Sequence, residues 1–289
     1  MRSKQITFVK LEIWESNAAN RASTNHAMTS SKELPSVEDV HASKDVLYSM
    51  GNGAVAGMGP DIVVKYGERV RLSEAEAMKY IGENTNIPVP AVLKAFEREG
   101  KTYIYMTRIP GKTLEDCLDK FSDSQLEGIV EQLAGYVHEL RSLGESNYIG
   151  STNHAPCTDY FWQYNDHLPA GPFDTETQFN DMIASAYHAR WGDSRPKFHI
   201  FLRSLYRDNH RILFTHGDIA PRNIMVSDEG RITGIIDWEY AGWYPEYWEY
   251  AKAYFGGEWK TNWSLWMDKY FPSYHYELLV HNIAYGALT

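Results

Sequence analysis

Apolar and polar positions along the first third of the chain change period several times, and each change marks a predicted element. From Ser36 a short helix is expected through Leu47, followed by the glycine-rich stretch GNGAVAGMG, a Gly59-Pro60-Asp61 turn and the β-branched run IVVKYG. Together these read as a hairpin whose second strand carries Lys65 near its end. The pattern then turns helical over Ser73 to Glu83, with Ser73 as the expected cap. Glu74, Ala77, Met78 and Ile81 recur there at the i, i+3, i+4, i+7 spacing of one face. Pro88 and Pro90 stop any continuation. Strands are predicted at Ala91 to Arg98 and Thr102 to Thr107, and Pro110-Gly111 marks a sharp connection.

Beyond that connection the period is mainly helical. Leu114 to Phe121 and Ser124 to Leu143 are predicted helices, the second with Ile129, Leu133, Tyr136, Val137 and Leu140 on one stripe. The next stretch, to about Phe173, is aromatic and polar with little period. Helices are expected again over Glu176 to Arg190 and Pro196 to Asn209. Two short apolar strands follow, Asn223 to Val226 and Ile232 to Ile236, around a Ser227-Asp228-Glu229-Gly230 turn, and the C-terminal part reads as helical and tryptophan-rich. The predicted class is α+β, with a small antiparallel-sheet region over residues 36–109 and a larger, mainly helical region over 110–289. Residues 1–35, rich in Ser, Asn, Thr and Ala, are expected to be a weakly ordered extension, within which Met28 is a candidate internal translation start.

Composition narrows the function classes. With 43% hydrophobic and 23% charged residues in 289, the chain has the material for a packed core. A formal charge of −10 repels nucleic acid and favours a cationic acceptor, although it identifies no substrate. Cys117 and Cys157 make neither a disulfide framework nor a zinc site, and the 11 histidines form no H-E-x-x-H or Cys/His cluster. No apolar run approaches the roughly 20 residues that a membrane span needs. The opening MRSKQITFVKLEIWESN lacks a secretory apolar core, and its Glu12 and Glu15 argue against a mitochondrial address, so a cytoplasmic location is expected.

Candidate chemistry is concentrated in LFTHGDIAPRNIMV and the following ITGIIDWE. Asp218 and Asn223 stand in one loop, and Asp237 ends the strand of the next hairpin. Two acids and an amide gathered at strand ends suit a hard-oxygen magnesium site beside a carboxylate that orients a hydroxyl. Phosphoryl transfer needs those parts, because positioning and cations carry most of its catalysis. Taken singly, the three residues would be ordinary turn formers and Lys65 a surface lysine.

The pattern H-G-D-x-x-x-x-N followed by I-D-W-E resembles the aminoglycoside phosphotransferase family, within the protein-kinase-like superfamily. The wording HGDIAPRN and IIDWEYAGWYPEYWEYAKA is similar to its fungal members of unassigned substrate, over roughly residues 45–260. The resemblance implies a two-lobed fold, transfer of the γ-phosphoryl group of ATP, or alternatively GTP, and a small-molecule hydroxyl as acceptor. It implies that Asp218 is the catalytic base, that Asn223 and Asp237 hold Mg2+, and that His216 braces the loop. Lys65 would contact the nucleotide phosphates and pair with a helical glutamate; period favours Glu74, with Glu76 as the other candidate. YIYMTRIPG resembles the interlobe hinge, so Met106 would border adenine and the backbones of Thr107 and Ile109 would bond it.

Some residues keep two readings. The glycines at 51, 53, 57 and 59 depart from the fuller G-x-G-x-x-G loop and serve as turn formers or phosphate contacts. Trp243, Trp248, Trp259, Trp263 and Trp266 read as core, while Glu246 and Glu249 either face an acceptor or lie on a solvated helix face. A protein kinase is disfavoured: Ala220 stands where a lysine is usual, D-W-E replaces D-F-G, and no A-P-E segment follows. A non-catalytic, kinase-shaped scaffold is the other alternative, and it sits poorly with a chain that keeps base, metal ligands and lysine. Acceptor choice is expected from residues 145–210 and the C-terminal helices.

Overall fold

The computed structural model describes residues 33–159, 162, 170–254 and 262–288. Nearly all of the expected N-terminal extension, and Trp259, therefore lie outside the described residues. The chain divides into two compact units, residues 1–44 and 45–289. In the first, helix α1 (Val37–Ala42) starts at a capping box. Ser36 Oγ accepts from the Asp39 N–H at 3.1 Å, and the Asp39 carboxylate accepts from the Ser36 N–H at 3.0 Å. The helix stops well short of the expected Leu47, because Ser43 is already extended and Val46–Met50 form strand β1. Val46 and Tyr48 fit a strand better than a helix, and the ladder to the next strand supplies their backbone partners.

The second unit opens with an antiparallel sheet. Strands β1, β2 (Gly53–Gly57), β3 (Ile62–Gly67), β4 (Val92–Arg98) and β5 (Lys101–Thr107) lie in the order β1-β2-β3-β5-β4. The expected hairpin around Gly59-Pro60-Asp61 is present as β2 and β3, with Lys65 in the ladder opposite Ile104. Helix α2 (Leu72–Asn84) follows, and the predicted face of Glu74, Ala77, Met78 and Ile81 is buried. Ser73 is not its cap: the helix begins at Leu72, with Arg71 at the cap position making no side-chain bond.

After Pro110, the chain passes so close to a later strand that a Cβ on Gly111 would stand 2.2 Å from the Val226 carbonyl oxygen. Its φ of +107° also lies where only glycine sits without strain. The expected helix over Leu114 to Phe121 is a 3-10 segment, Glu115–Lys120, broken at Cys117. Thr113 explains the break locally, since its Oγ1 accepts from the Asp116 N–H and its carbonyl takes the Cys117 thiol. Helix α3 (Asp123–Arg141) buries Ile129, Leu133, Val137 and Leu140 of the predicted stripe and leaves Tyr136 half-buried.

Helices α4 (Glu176–Trp191) and α5 (Phe198–Leu205) come next, the latter shorter than expected. Strand β6 (Lys112–Thr113) pairs with β8 (Ile224–Val226), and β8 with β9 (Ile232–Ile235). A separate ribbon joins β7 (Ile212–Thr215) to β10 (Gly242–Pro245). The sequence reading contains neither of these strands, since ILFT and GWYP show no apolar–polar alternation. Helices α6 (Trp248–Tyr254), α7 (Trp263–Tyr270) and α8 (His275–Leu288) complete the chain. Trp248, Trp263 and Trp266 are buried core residues, as expected, while Trp243 is half-buried. The α+β expectation holds: an antiparallel sheet comes first and a mainly helical region after it. Among the described residues no helix is long and apolar enough to cross a membrane.

His281 on α8 packs edge-on against Trp248, and burial lowers its pKa from 6.5 to about 3. A depressed folded pKa stabilises above the unfolded value and loses that contribution as pH falls. Stability should therefore fall between pH 6.5 and about 3. Denaturant titrations across that window should show His281→Phe flattening the dependence by about 1.4 kcal/mol per pH unit. Parallel curves for the two proteins would contradict this account.

Candidate active site

The loop carrying Asp218 leaves β7 through His216 and Gly217 and enters a 3-10 turn, Pro221–Asn223, before β8. Gly217 has a φ of +80°, and a Cβ there would lie 2.8 Å from the Tyr240 carbonyl oxygen, so the turn admits glycine alone. Glu249 of α6, fully buried, accepts the N–H groups of His216 at 2.6 Å and Gly217 at 3.2 Å. His216 is braced at both ring nitrogens. Its Nδ1 accepts from the Asp218 N–H at 3.2 Å, which leaves Nε2 to donate to the Ile236 carbonyl at 3.1 Å. That pairing selects the neutral ring with the proton on Nε2, in line with burial lowering its pKa.

Asp218 lies between two donors. Arg222 Nη2 reaches Oδ1 at 2.6 Å, and Asn223 Nδ2 reaches Oδ2 at 2.8 Å and the Asp218 carbonyl at 2.9 Å. Burial nevertheless raises the carboxyl above the ordinary aspartate value; Arg222 opposes the shift and Asp237 reinforces it. Asn223 is fixed from behind as well, because its carbonyl accepts the Ile236 N–H at 2.9 Å. Its amide nitrogen being committed to Asp218, its side-chain oxygen is the atom left for a cation.

Asp237 follows directly, with a φ of +64°. Aspartate tolerates this left-handed conformation better than most residues, yet the strain still costs on the order of 1–3 kcal/mol and persists only where surroundings enforce it. The enforcing contact is Lys65, whose Nζ lies 2.8 Å from Asp237 Oδ1. The same ammonium bonds Glu74 at 2.9 Å and Glu239 at 3.2 Å. Burial works against the lysine's charge, but the three carboxylates outweigh it and hold its pKa well above the usual value. Burial also raises Glu74 to about 7 and raises Glu239, with Lys65 opposing both. At Asp237 burial pushes the same way, but Lys65 overcomes it and the pKa ends below the ordinary one.

Three carboxylates facing one ammonium leave an excess of negative charge. Oxygens of Glu74, Asp237 and Glu239 all lie within 4.8 Å of one another, a spacing and donor type that suit a hard divalent cation. Of the two candidate partners for Lys65, Glu74 makes the contact, while Glu76 accepts from Asn153 at 3.0 Å. Met106 is buried on β5 opposite Val63, two positions along the strand from Lys65. Thr107 has already committed its N–H to the Ala91 carbonyl at 3.0 Å, so an adenine would need another group from it. The half-buried Ile109 sits against Gly234 of β9, where a Cβ would come within 2.7 Å of it.

Two acids were read differently from sequence. Glu246 bonds Arg211 at 2.9 Å, and Glu249 holds the loop backbone; neither lies on a simple solvated face. Glu239, Tyr240 and Arg222 were passed over altogether. Glu239 sits in the quoted I-D-W-E and carries its only signal there, a second acid two positions from the first. Because Glu249 carries two backbone donors from a fully buried position, Glu249→Ala leaves both orphaned. The expected loss is about 2–4 kcal/mol in the free energy of unfolding, read by denaturant melts. A loss under 1 kcal/mol would mean that Glu249 does not hold the loop.

Comparison with known proteins places this geometry. The model of the phosphotransferase enzyme family (APH) matches residues 67–284. Among curated proteins, an aminoglycoside 3'-phosphotransferase of Salmonella typhimurium is 24% identical over 187 residues, which cover 62% of this chain and 62% of that protein. The chain thus spans less than two thirds of the curated relative's length. Among solved structures, an aminoglycoside 3'-phosphotransferase of type VIII superimposes with a TM-score of 0.53 at 14% identity, covering 86% of this chain and 98% of that one. An aminoglycoside phosphotransferase from Streptomyces rimosus, solved with ADP and streptomycin, gives 0.51 at 16% identity, covering 82% and 90%. These two likenesses establish a shared fold. With the family model matching well over half of the sequence, this chain belongs to the phosphotransferase enzyme family.

Proposed function

We propose that the protein transfers the γ-phosphoryl group of a nucleoside triphosphate, ATP or alternatively GTP, to a hydroxyl of a small molecule. The observation that carries this reading is the contact of Lys65 with both Glu74 and Asp237, the latter 172 residues further on, beside a loop that presents Asp218. A strand, a helix and two loops converge on one charge cluster next to a hydroxyl-orienting carboxylate. Phosphoryl transfer uses that combination.

In this reading Lys65, held by Glu74, binds the nucleotide phosphates. The end of β5 at Met106 and the backbone after it, to Ile109, border the adenine, and the glycine-rich β1–β2 connection and β2 approach the phosphates. Asp237 and Asn223 are the residues that would hold Mg2+, and the excess carboxylate charge there fits a divalent cation. Bound Mg2+ would neutralise charge on the phosphate oxygens. Asp218 accepts a hydrogen bond from the acceptor hydroxyl and takes its proton as that oxygen attacks the γ-phosphorus. The bond to the β–γ bridging oxygen breaks, and the nucleoside diphosphate leaves. Arg222 and Asn223 keep the aspartate's two oxygens oriented for this role.

Two substitutions test the assignment. Asp218→Asn should reduce acceptor-stimulated nucleotide turnover by roughly 10²–10⁴-fold while nucleotide still binds. Lys65→Ala should weaken nucleotide binding itself, by roughly tenfold or more, as a charge-assisted contact is lost. Magnesium-dependent consumption of ATP and GTP, measured with calorimetric nucleotide titrations, reads both. Nucleotide binding without turnover on any hydroxyl acceptor would instead support a non-catalytic kinase-shaped protein, and phosphorylation of a generic protein alone would support a protein kinase.

A further inference from the structure

A recess of about 310 Å³, including the open space at its mouth, lies beside the carboxylate cluster. Arg69, Arg71, Asp159, Trp162, Glu239 and Tyr240 line most of it. Tyr240 backs onto the catalytic loop: its carbonyl oxygen is what a Cβ on Gly217 would strike, and Asp218 is among the acids that keep its phenol protonated. The recess therefore adjoins the carboxylate that meets the acceptor hydroxyl in the proposed reaction.

Its charges are unevenly matched. Asp159, buried, is paired with Lys252 at 3.0 Å, and Glu239 is paired with Lys65 at 3.2 Å. Arg69 and Arg71 are exposed, and among the described residues neither has an acidic partner. A second feature points the same way. Thr158 also lines the recess; its Oγ1 is buried and has no hydrogen-bond partner among the described residues. A buried hydroxyl without a partner is costly to keep from water.

We infer that this recess is the acceptor site and that it selects a hydroxylated small molecule bearing an oxyanion, a carboxylate or a phosphate ester, which Arg69 and Arg71 grip. Guanidinium forks match the two-oxygen geometry of both anions. The inference rests on the phosphotransfer reading and deepens it. It also reverses the preference that a net charge of −10 implies for the whole surface, because the local charge decides.

The test uses the full chain and one carbon skeleton in three charge states, namely gluconate, gluconamide and glucamine, with glucose 6-phosphate against glucose as the phosphate arm. Turnover and calorimetric binding in the presence of ADP and magnesium are both measured, for wild type and Arg69→Gln/Arg71→Gln. The anion should be preferred over its neutral and cationic counterparts, and the double substitution should cut that preference roughly tenfold to hundredfold. Folding of the variant is checked by its thermal midpoint, and Arg69→Lys/Arg71→Lys should restore part of the preference. Whether the carboxylate or the phosphate arm responds identifies the anion. Acid binding that the double substitution abolishes supports the inference even if no acceptor is turned over, in which case the phosphotransfer reading fails alone. Preference for glucamine or gluconamide, an anion preference unmoved by the substitutions, or no binding of either anion overturns it.

Discussion

One largely enclosed ammonium, 14% exposed and faced by three carboxylates, is the constraint on which the rest depends. Charges removed from water are tolerated only when they are matched, and an unpaired one costs several kcal/mol. Lys65 can therefore stay in β3 only if Glu74 of α2 and the acids after β9 reach it. This ties a helix to the sheet from one side and the segment of Asp237 and Glu239 to the sheet from the other. The left-handed backbone of Asp237 belongs to the same constraint, since a strained residue has to be held.

Glu249 performs the matching task for the catalytic loop. A carboxylate on α6 engages two successive backbone N–H groups of a turn that glycine alone can make. His216 then links that turn to the strand ending at Ile236 through both ring nitrogens. Asp218, Asp237 and Lys65 are thus positioned by polar pairs rather than by apolar packing, which would allow the loop to slide. Apolar packing joins α6 to the ribbon of β7 and β10, where Trp248 stacks on Tyr244 of β10.

What the sequence makes legible follows from how each feature is encoded. The face of α2 shows as a period, so both its burial and the choice of Glu74 over Glu76 could be read in advance. Asp218, Asn223 and Asp237 lie close in sequence within a motif, and the structure brings them to one place. Strands β7 (ILFT) and β10 (GWYP) show no alternation, and their pairing joins segments about thirty residues apart. The boundary between α1 and β1 was missed because the apolar residues around Val46 and Leu47 satisfy either period; pairing with β2 decides it. Glu249 keeps two readings in the sequence, an acceptor contact or a solvated helix position, because its actual partners are backbone amides, which leave no mark there. The recess is equally silent, since Arg69, Asp159 and Tyr240 come from three distant segments and only the fold makes them neighbours.

The long separation between Lys65 and Asp237 also orders events at the ribosome. Glu74 emerges 9 residues after the lysine and can neutralise it early. Asp237 arrives 172 residues after the lysine, on the order of ten to thirty seconds later at ordinary rates of synthesis. Glu249, which fastens the catalytic turn, comes later still. Through most of translation the nascent chain therefore holds Lys65 and Glu74 without Asp237 or Glu249, and the charge cluster around the lysine is among the last features completed.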